Sequence, residues 1–260
     1  MIKDNKIYLY NNNFISFLYL CILLIRKKII PRNIKEIDYT QGLFDETCLL
    51  DLIEDDKIID CLIKNIGNNN FNVVFKVFLS NEEDKEILIY KFILYSLKYK
   101  EKTIYMKNIK EILKCVKISK YVTSENHKFK GFTRFKKYEN EIYYAEINPT
   151  NNILYLLALH FKNRLNTDYW IIKDVNRKIY SIFDKKNFYM INEENFKIKN
   201  LKLSEEENNF ENLWKEFYKT IGITERKNDR CRMNFMPKKY WKYILEVSDE
   251  IWKKLYQVKI

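Results

Sequence analysis

His127-Lys128-Phe129-Lys130-Gly131-Phe132-Thr133-Arg134-Phe135-Lys136-Lys137, followed by Ile142-Tyr143-Tyr144-Ala145-Glu146-Ile147, is the stretch on which the fold class turns. Aromatic and β-branched residues suit a pleated surface, so Lys128–Phe135 and Ile142–Ile147 are expected to form two strands of a hairpin. Pro149 and Thr150 then end the second strand.

Upstream, apolar residues return every three or four positions, which predicts helices near 13–29, 55–66, 70–79, 83–99 and 107–121. A short strand near 48–53 is also compatible with the sequence. The helical pattern gives way near residues 123–128. Downstream, Asn151–Leu165 reads as an amphipathic helix capped by Thr150 or Asn151. Three short runs, Tyr169–Lys173, Lys178–Phe183 and Phe188–Ile191, are separated by turn-like residues and read as a meander. Helices near 205–222 and 237–256 close the chain. The expected class is therefore α+β rather than βαβ: a mainly helical region 1–124, then an α+β region 125–260 with a small antiparallel sheet and flanking helices. The two regions fit either separate domains or one continuous domain.

The chain has 260 residues, 47% of them hydrophobic and 16% aromatic, enough to bury a substantial core. Its formal net charge of +12 favours polyanionic partners. Lysine abundance accompanies a general richness in Asn, Ile and Tyr and is weak evidence by itself. Arginine is more telling, because only 8 of the 47 basic residues are Arg and six of those lie between Arg134 and Arg232. Residues 1–124 carry 20 basic and 16 acidic side chains, whereas residues 125–260 carry 27 and 19. The polyanion-facing surface is expected in the second region.

Four glycines, Gly42, Gly67, Gly131 and Gly222, are too few and too scattered for a Walker A loop or a G-x-G-x-x-G turn. Five separated cysteines, with no C-x-x-C pair, argue against a disulfide framework, a zinc knuckle or an iron–sulfur site, and fit reduced thiols in the cytoplasm. No cofactor or metal is expected. The apolar run Phe14–Ile25 is too short to span a bilayer and follows a start with Asp4 and several Asn, so it is expected as a buried helix with no membrane partner.

Three constellations carry candidate chemistry. In the first, His127, Lys128, Lys130, Phe132 and Arg134 lie in a stretch without any acidic residue. As a strand it would present cations and an aromatic on one face, a surface suited to tracking a phosphate backbone and stacking bases. An ordinary amphipathic strand with a solvated lysine face accounts for the same residues. In the second, the run from Arg226 to Lys242 sets seven cations against Asp229. Arg226, Arg230 and Asn234 at helical spacing, with Arg232, Lys238 and Lys239 nearby, form a candidate phosphate clamp. A solvated helix connection is the alternative. In the third, His160, Arg164 and Asp174 form the candidate catalytic set, with Arg177 as a further anion contact. The imidazole would serve as general base and Asp174 would orient it. A structural network of the same residues, with Arg164 paired to Asp174, is the alternative.

A series of motifs also follows at regular intervals. It runs Glu125-x-His127-x-Phe129-x-Gly131-Phe132-x-Arg134-Phe135, Tyr144-Ala145-x-Ile147-x-Pro149-x-x-Asn152-Ile153-Leu154, His160-Phe161-x-x-Arg164 and Trp170-Ile171-Ile172-x-Asp174-x-x-Arg177. Glu225-Arg226-x-Asn228 and Phe235-Met236-Pro237-x-x-Tyr240-Trp241 complete it. The series resembles the bacterial family of DNA metabolism proteins over most of residues 1–245, most densely after 125. That family includes a domain fused to uracil-DNA-glycosylase-like modules, and its stand-alone members accompany a radical S-adenosylmethionine protein of DNA modification or repair. The resemblance implies a DNA-repair or modification setting with DNA and such a radical enzyme as partners, and it implies no catalytic residues. The chain ends soon after Trp241 and lacks a radical enzyme's cysteine triad, so that chemistry is expected from the partner. The leading expectation is a DNA-binding accessory protein. A nuclease or base-processing hydrolase centred on His160, or a protein scaffold without nucleic-acid contact, are the alternatives.

Overall fold

Five short strands around one helix open the chain and helices complete its first 124 residues, and the computed structural model describes residues 1–50, 56–196, 202–226 and 228–245. The chain divides into two compact units, Met1–Ser124 with Thr150–Asn152, and Glu125–Pro149 with Ile153–Ile260. The fold is α+β.

The first unit begins with β1 (Ile2–Lys3), β2 (Ile7–Tyr10), α1 (Phe14–Arg26), β3 (Ile29–Ile30), β4 (Asn33–Glu36) and β5 (Thr47–Leu49). It continues with α2 (Asp56–Ile66), α3 (Asn68–Phe78), α4 (Lys85–Tyr99), a 3-10 segment at Lys100–Tyr105, and α5 (Lys110–Phe132), whose last turns belong to the second unit. β2 lies between β4 and β5, both parallel to it. α1 starts where the Asn13 side chain accepts the Ser16 N–H at 2.8 Å, answering one of the helix's orphan donors. Its Phe14 and Phe17 meet Phe71, Phe75, Phe78 and Tyr10 in one aromatic cluster. The buried Tyr10 hydroxyl donates to Glu36 and Glu86 at 3.2 and 3.3 Å, so its polar end is satisfied. No described helix is long and apolar enough to cross a membrane.

The second unit holds β6 (Lys136–Lys137), β7 (Ile142–Ile147), α6 (Leu154–Arg164), β8 (Tyr169–Asp174), β9 (Ile179–Phe183) and β10 (Phe188–Asn192). α7 (Glu205–Ile221), a 3-10 turn at Thr224–Arg226, α8 (Asp229–Phe235) and a 3-10 segment at Lys238–Tyr243 follow. The five strands form one sheet in the order β10-β9-β8-β7-β6. Trp170, Ile172, Tyr180 and Phe183 are buried in it, and α6 buries Leu154, Leu157, Ala158 and Phe161.

The sequence reading is corrected at four points. Residues 128–132 are the end of α5 and not a strand, and only Lys136–Lys137 pair with β7 in place of the expected hairpin partner. Phe129 and Phe132 are three apart, a spacing that satisfies a helix, and Ile118, Val122, Glu125 and Phe129 form its continuous buried stripe. β7 and β8 are parallel across α6, so one βαβ crossover sits inside the otherwise antiparallel sheet. Strands of only three or four residues, β2, β4 and β5, add a small parallel sheet to the helical first region. Lys238–Tyr243 is 3-10 rather than α-helical. Residues 51–53 of the expected short strand and 246–256 of the expected last helix lie outside the described residues.

Candidate nucleic-acid interface

The last turns of α5 are anchored from inside. Glu125 and Phe129 are buried, Lys239 Nζ meets Glu125 Oε1 at 2.8 Å, and the rings of Phe129 and Phe132 lie 5.0 and 5.1 Å from that of Tyr240. Two sequence-predicted segments, 127–137 and 237–242, therefore meet. Helical phase then sets the outward residues: His127 is exposed, while Lys128 and Lys130 are half-buried beside it.

α6 brings the third predicted element to the same place. His160 Nε2 is buried and has no hydrogen-bond partner among the described residues. Desolvation, then the positive charges of Lys130 and Arg164, hold its imidazole below the ordinary 6.5. The imidazole therefore favours its neutral form, and an anion placed among these groups would meet the two permanent cations, Lys130 and Arg164.

The other candidates have structural commitments. Asp174 is fully buried, accepts the N–H groups of Asn176 and Arg177, and pairs with Arg177 at 3.0 Å. Arg177 also donates to the Pro149 carbonyl at 3.2 Å, so the pair locks the turn after β8. Burial pushes the Asp174 carboxyl up, against the pull of Arg177. No hydrogen bond joins Asp174 to His160 among the described residues. Arg134 pairs with the buried Glu207 at 2.6 Å, and its guanidinium lies 5.0 Å over Phe210. Glu207 stands in the first turn of α7, where Ser204 Oγ accepts its N–H. Arg232 stacks 4.6 Å over Trp241. Arg226 and Arg230 are exposed but belong to different elements, the 3-10 turn and α8, so the helical clamp with Asn234 is interrupted; Lys227 lies outside the described residues. Lys238 is exposed.

A cleft beside α7 escaped the sequence reading. One hollow of about 470 Å³ is lined by Phe132, Arg134, Phe210, Trp214, Tyr218 and Tyr243, among others. A second, about 390 Å³, shares Arg134 and Tyr243 and adds Lys136, Lys215, Lys242, Glu146 and Glu211. Both volumes fall in the ligand-cleft range of roughly 300–1,000 Å³. The rings of Phe210 and Trp214 are nearly parallel, 12° apart, with centroids separated by 6.2 Å. Buried Arg134 Nε and Tyr243 Oη have no hydrogen-bond partner among the described residues. Burial, then the carboxylates of Glu146 and Asp174, push the Tyr243 phenol up, so it stays protonated. The available signal was the spacing Phe210, Leu213, Trp214, Phe217, Tyr218 and Ile221, an aromatic stripe heavier than a helix of this length needs for packing.

No group of three His, Cys, Asp or Glu side chains is arranged to hold a metal ion among the described residues. No curated protein and no solved structure matches the chain. One family model does match, over residues 83–246, more than half of the sequence and the part that includes α6, α7 and the last turns of α5. The chain belongs to the family described as a domain of unknown function, DUF4130.

Proposed function

We propose that this protein binds DNA through its second unit and presents it to a partner enzyme of repair or modification. The resemblance of the motif series points to a radical S-adenosylmethionine protein as that partner. The carrying observation is the convergence of Lys130, His160 and Arg164, with His127 and Lys128 on the adjoining turn of α5. A phosphate beside these groups meets two permanent cations and an imidazole that gains a proton favourably once the anion arrives. Nucleic-acid phosphates are the polyanion that a row of such contacts suits, and binding them releases counterions.

The test is fluorescence anisotropy of a short labelled DNA duplex as salt is raised. The logarithm of affinity should fall linearly with the logarithm of salt, and Lys128→Gln, Lys130→Gln and Arg164→Gln together should flatten that line. Absent or salt-independent binding by the folded chain overturns the reading. Co-purification with the radical enzyme without oligonucleotide binding would instead identify a scaffold.

A further inference from the structure

We infer that β10, the open edge of the five-stranded sheet, pairs with β10 of a second copy of this chain across a two-fold axis. The inference is independent of the DNA-binding reading and uses none of the residues that carry it. The two edges of the sheet are built differently. At β6 the chain closes its own edge. The Lys137 N–H donates to Glu207 Oε2 at 3.1 Å, the Lys137 carbonyl accepts the Ser204 N–H at 3.2 Å, and the Glu139 N–H donates to the Lys202 carbonyl at 3.0 Å. β6 is also only two residues long, both lysines, and a short charged edge resists further pairing.

β10 carries none of these protections. Its five residues, Phe188-Tyr189-Met190-Ile191-Asn192, include no charge, proline or glycine, and they pair with β9 residue for residue. Bonds at either end fix which backbone groups face inward: the Asp184 N–H donates to the Asn187 carbonyl at 3.1 Å, and the Glu193 N–H to the Lys178 carbonyl at 2.8 Å. Alternation along an antiparallel pair then turns the backbone of Tyr189 and Ile191 toward β9. It leaves the N–H and C=O of Phe188, Met190 and Asn192 on the outer side, where no other described residue bonds to them.

This outward set is complementary to itself. With a second β10 run antiparallel and centred on Met190, Met190 meets its own copy and Phe188 meets Asn192, each pair exchanging two N–H···O bonds. On one face Tyr189 then stands opposite Ile191 of the second copy, a stabilising pairing of an aromatic with a β-branched residue. Tyr189 donates its hydroxyl to Asp184 yet is 50% exposed. On the other face Phe188 packs its ring 5.6 Å from that of Tyr155 on α6. Met190, and Leu159 one turn beyond Tyr155, are 40% and 41% exposed, and the pairing brings the second copy's Met190 to this side. Charge selects the same occupant. The register brings Lys186, in the turn before β10, toward Glu194 of the other copy, in the turn after it, and both are exposed. Symmetry makes that contact twice. An unrelated extended peptide answers the open ladder alone, whereas a second copy answers the ladder and the charges.

Sedimentation velocity of the full chain over a range of concentrations tests the pairing. A monomer–dimer equilibrium is expected, and Met190→Lys, which sets like charges against each other at the axis, should leave only monomer. Lys186→Glu and Glu194→Lys each bring like charges together and should weaken the dimer roughly tenfold, whereas the double variant should restore it. Circular dichroism and thermal melting identify a variant that fails to fold; the charge swap, on exposed side chains, stands in should Met190→Lys do so. A monomer at every concentration overturns the proposal and leaves the edge to an extended segment of another protein. A dimer that none of these variants weakens places the contact elsewhere and overturns it as well, and assembly beyond the dimer contradicts the closed two-fold.

Discussion

The two units handle the same building materials differently. In the first, Phe14, Phe17, Phe71, Phe75, Phe78 and Tyr10 turn toward one another, and the phenol of Tyr10 finds Glu36 and Glu86. In the second, Phe210, Trp214, Phe217 and Tyr218 remain at least 37% exposed along α7, and Arg134 Nε, His160 Nε2 and Tyr243 Oη are left without partners among the described residues. Aromatic surface kept in water and polar atoms kept unanswered both cost free energy. The proposed binding role draws on His160 among these polar atoms, whereas the aromatic cluster around Phe17 acts as structure.

The sharpest way to break this comparison is to truncate one aromatic in each cluster. Phe17 is completely buried, so Phe17→Ala should lose about 3–5 kcal/mol of stability through lost transfer energy and a cavity. Phe217, 53% exposed, should cost well under ~1 kcal/mol on the same change. Chemical denaturation measures both. Similar losses would mean that the α7 stripe is packed core, and the contrast between the units would fail with it.

Charge supplies the next test. Replacing Lys128, Lys130 and Arg164 by Gln should reduce the salt slope of DNA binding by up to about 0.9 per lost phosphate contact. The same number of charges removed from the first unit, at the exposed Lys102, Lys107 and Lys110, should leave the slope nearly unchanged. If the two triple variants behave alike, binding follows net charge and not the His160 cluster.

pH separates the same cluster from general electrostatics. The folded-state pKa of His160 lies below 6.5, so the unfolded chain takes up this proton more readily. Its contribution to stability is full above about 6.5 and is lost as pH falls. DNA affinity should move the other way, rising with acidification because a bound phosphate favours the imidazolium. His160→Gln should remove both trends. The imidazole resonances, followed by NMR with and without an oligonucleotide, report the pKa directly; an unchanged value on DNA binding would place the phosphate elsewhere.

Much of this arrangement was legible in the sequence, for identifiable reasons. The helices α1 to α4 and α7, and the strands β7 to β10, carry strong period-3.6 or pleat-compatible patterns long enough to outweigh local noise. The acid-free run 127–137 and the arginine-bearing segments were visible as charge. What was not legible came from contacts distant in sequence. Nothing local shows that Glu207 will capture Arg134, that Lys239 will reach Glu125, or that Asp174 will be spent on the turn holding Arg177. The end of α5 was misread because Phe129-Lys130-Gly131-Phe132 satisfies two periods at once, and burial of the helical stripe ending at Phe129 decides for the helix.

That ambiguity leaves a small, direct test at Gly131. A Cβ added there meets nothing within 4 Å, so a methyl group enters without steric penalty and the Ala response reports backbone preference. In the helical turn, Gly131→Ala should stabilise the protein by up to about 0.5–1 kcal/mol, and less if the end of the helix frays. Gly131→Val should gain less than Ala, because its branched Cβ is restricted against the preceding turn. A strand at this position would reverse the order, favouring Val over Ala. The sign of the Ala-minus-Val difference in thermal unfolding therefore decides whether the cationic residues around Gly131 are displayed with helical phase, which is the condition for Lys130 to lie beside His160 and Arg164.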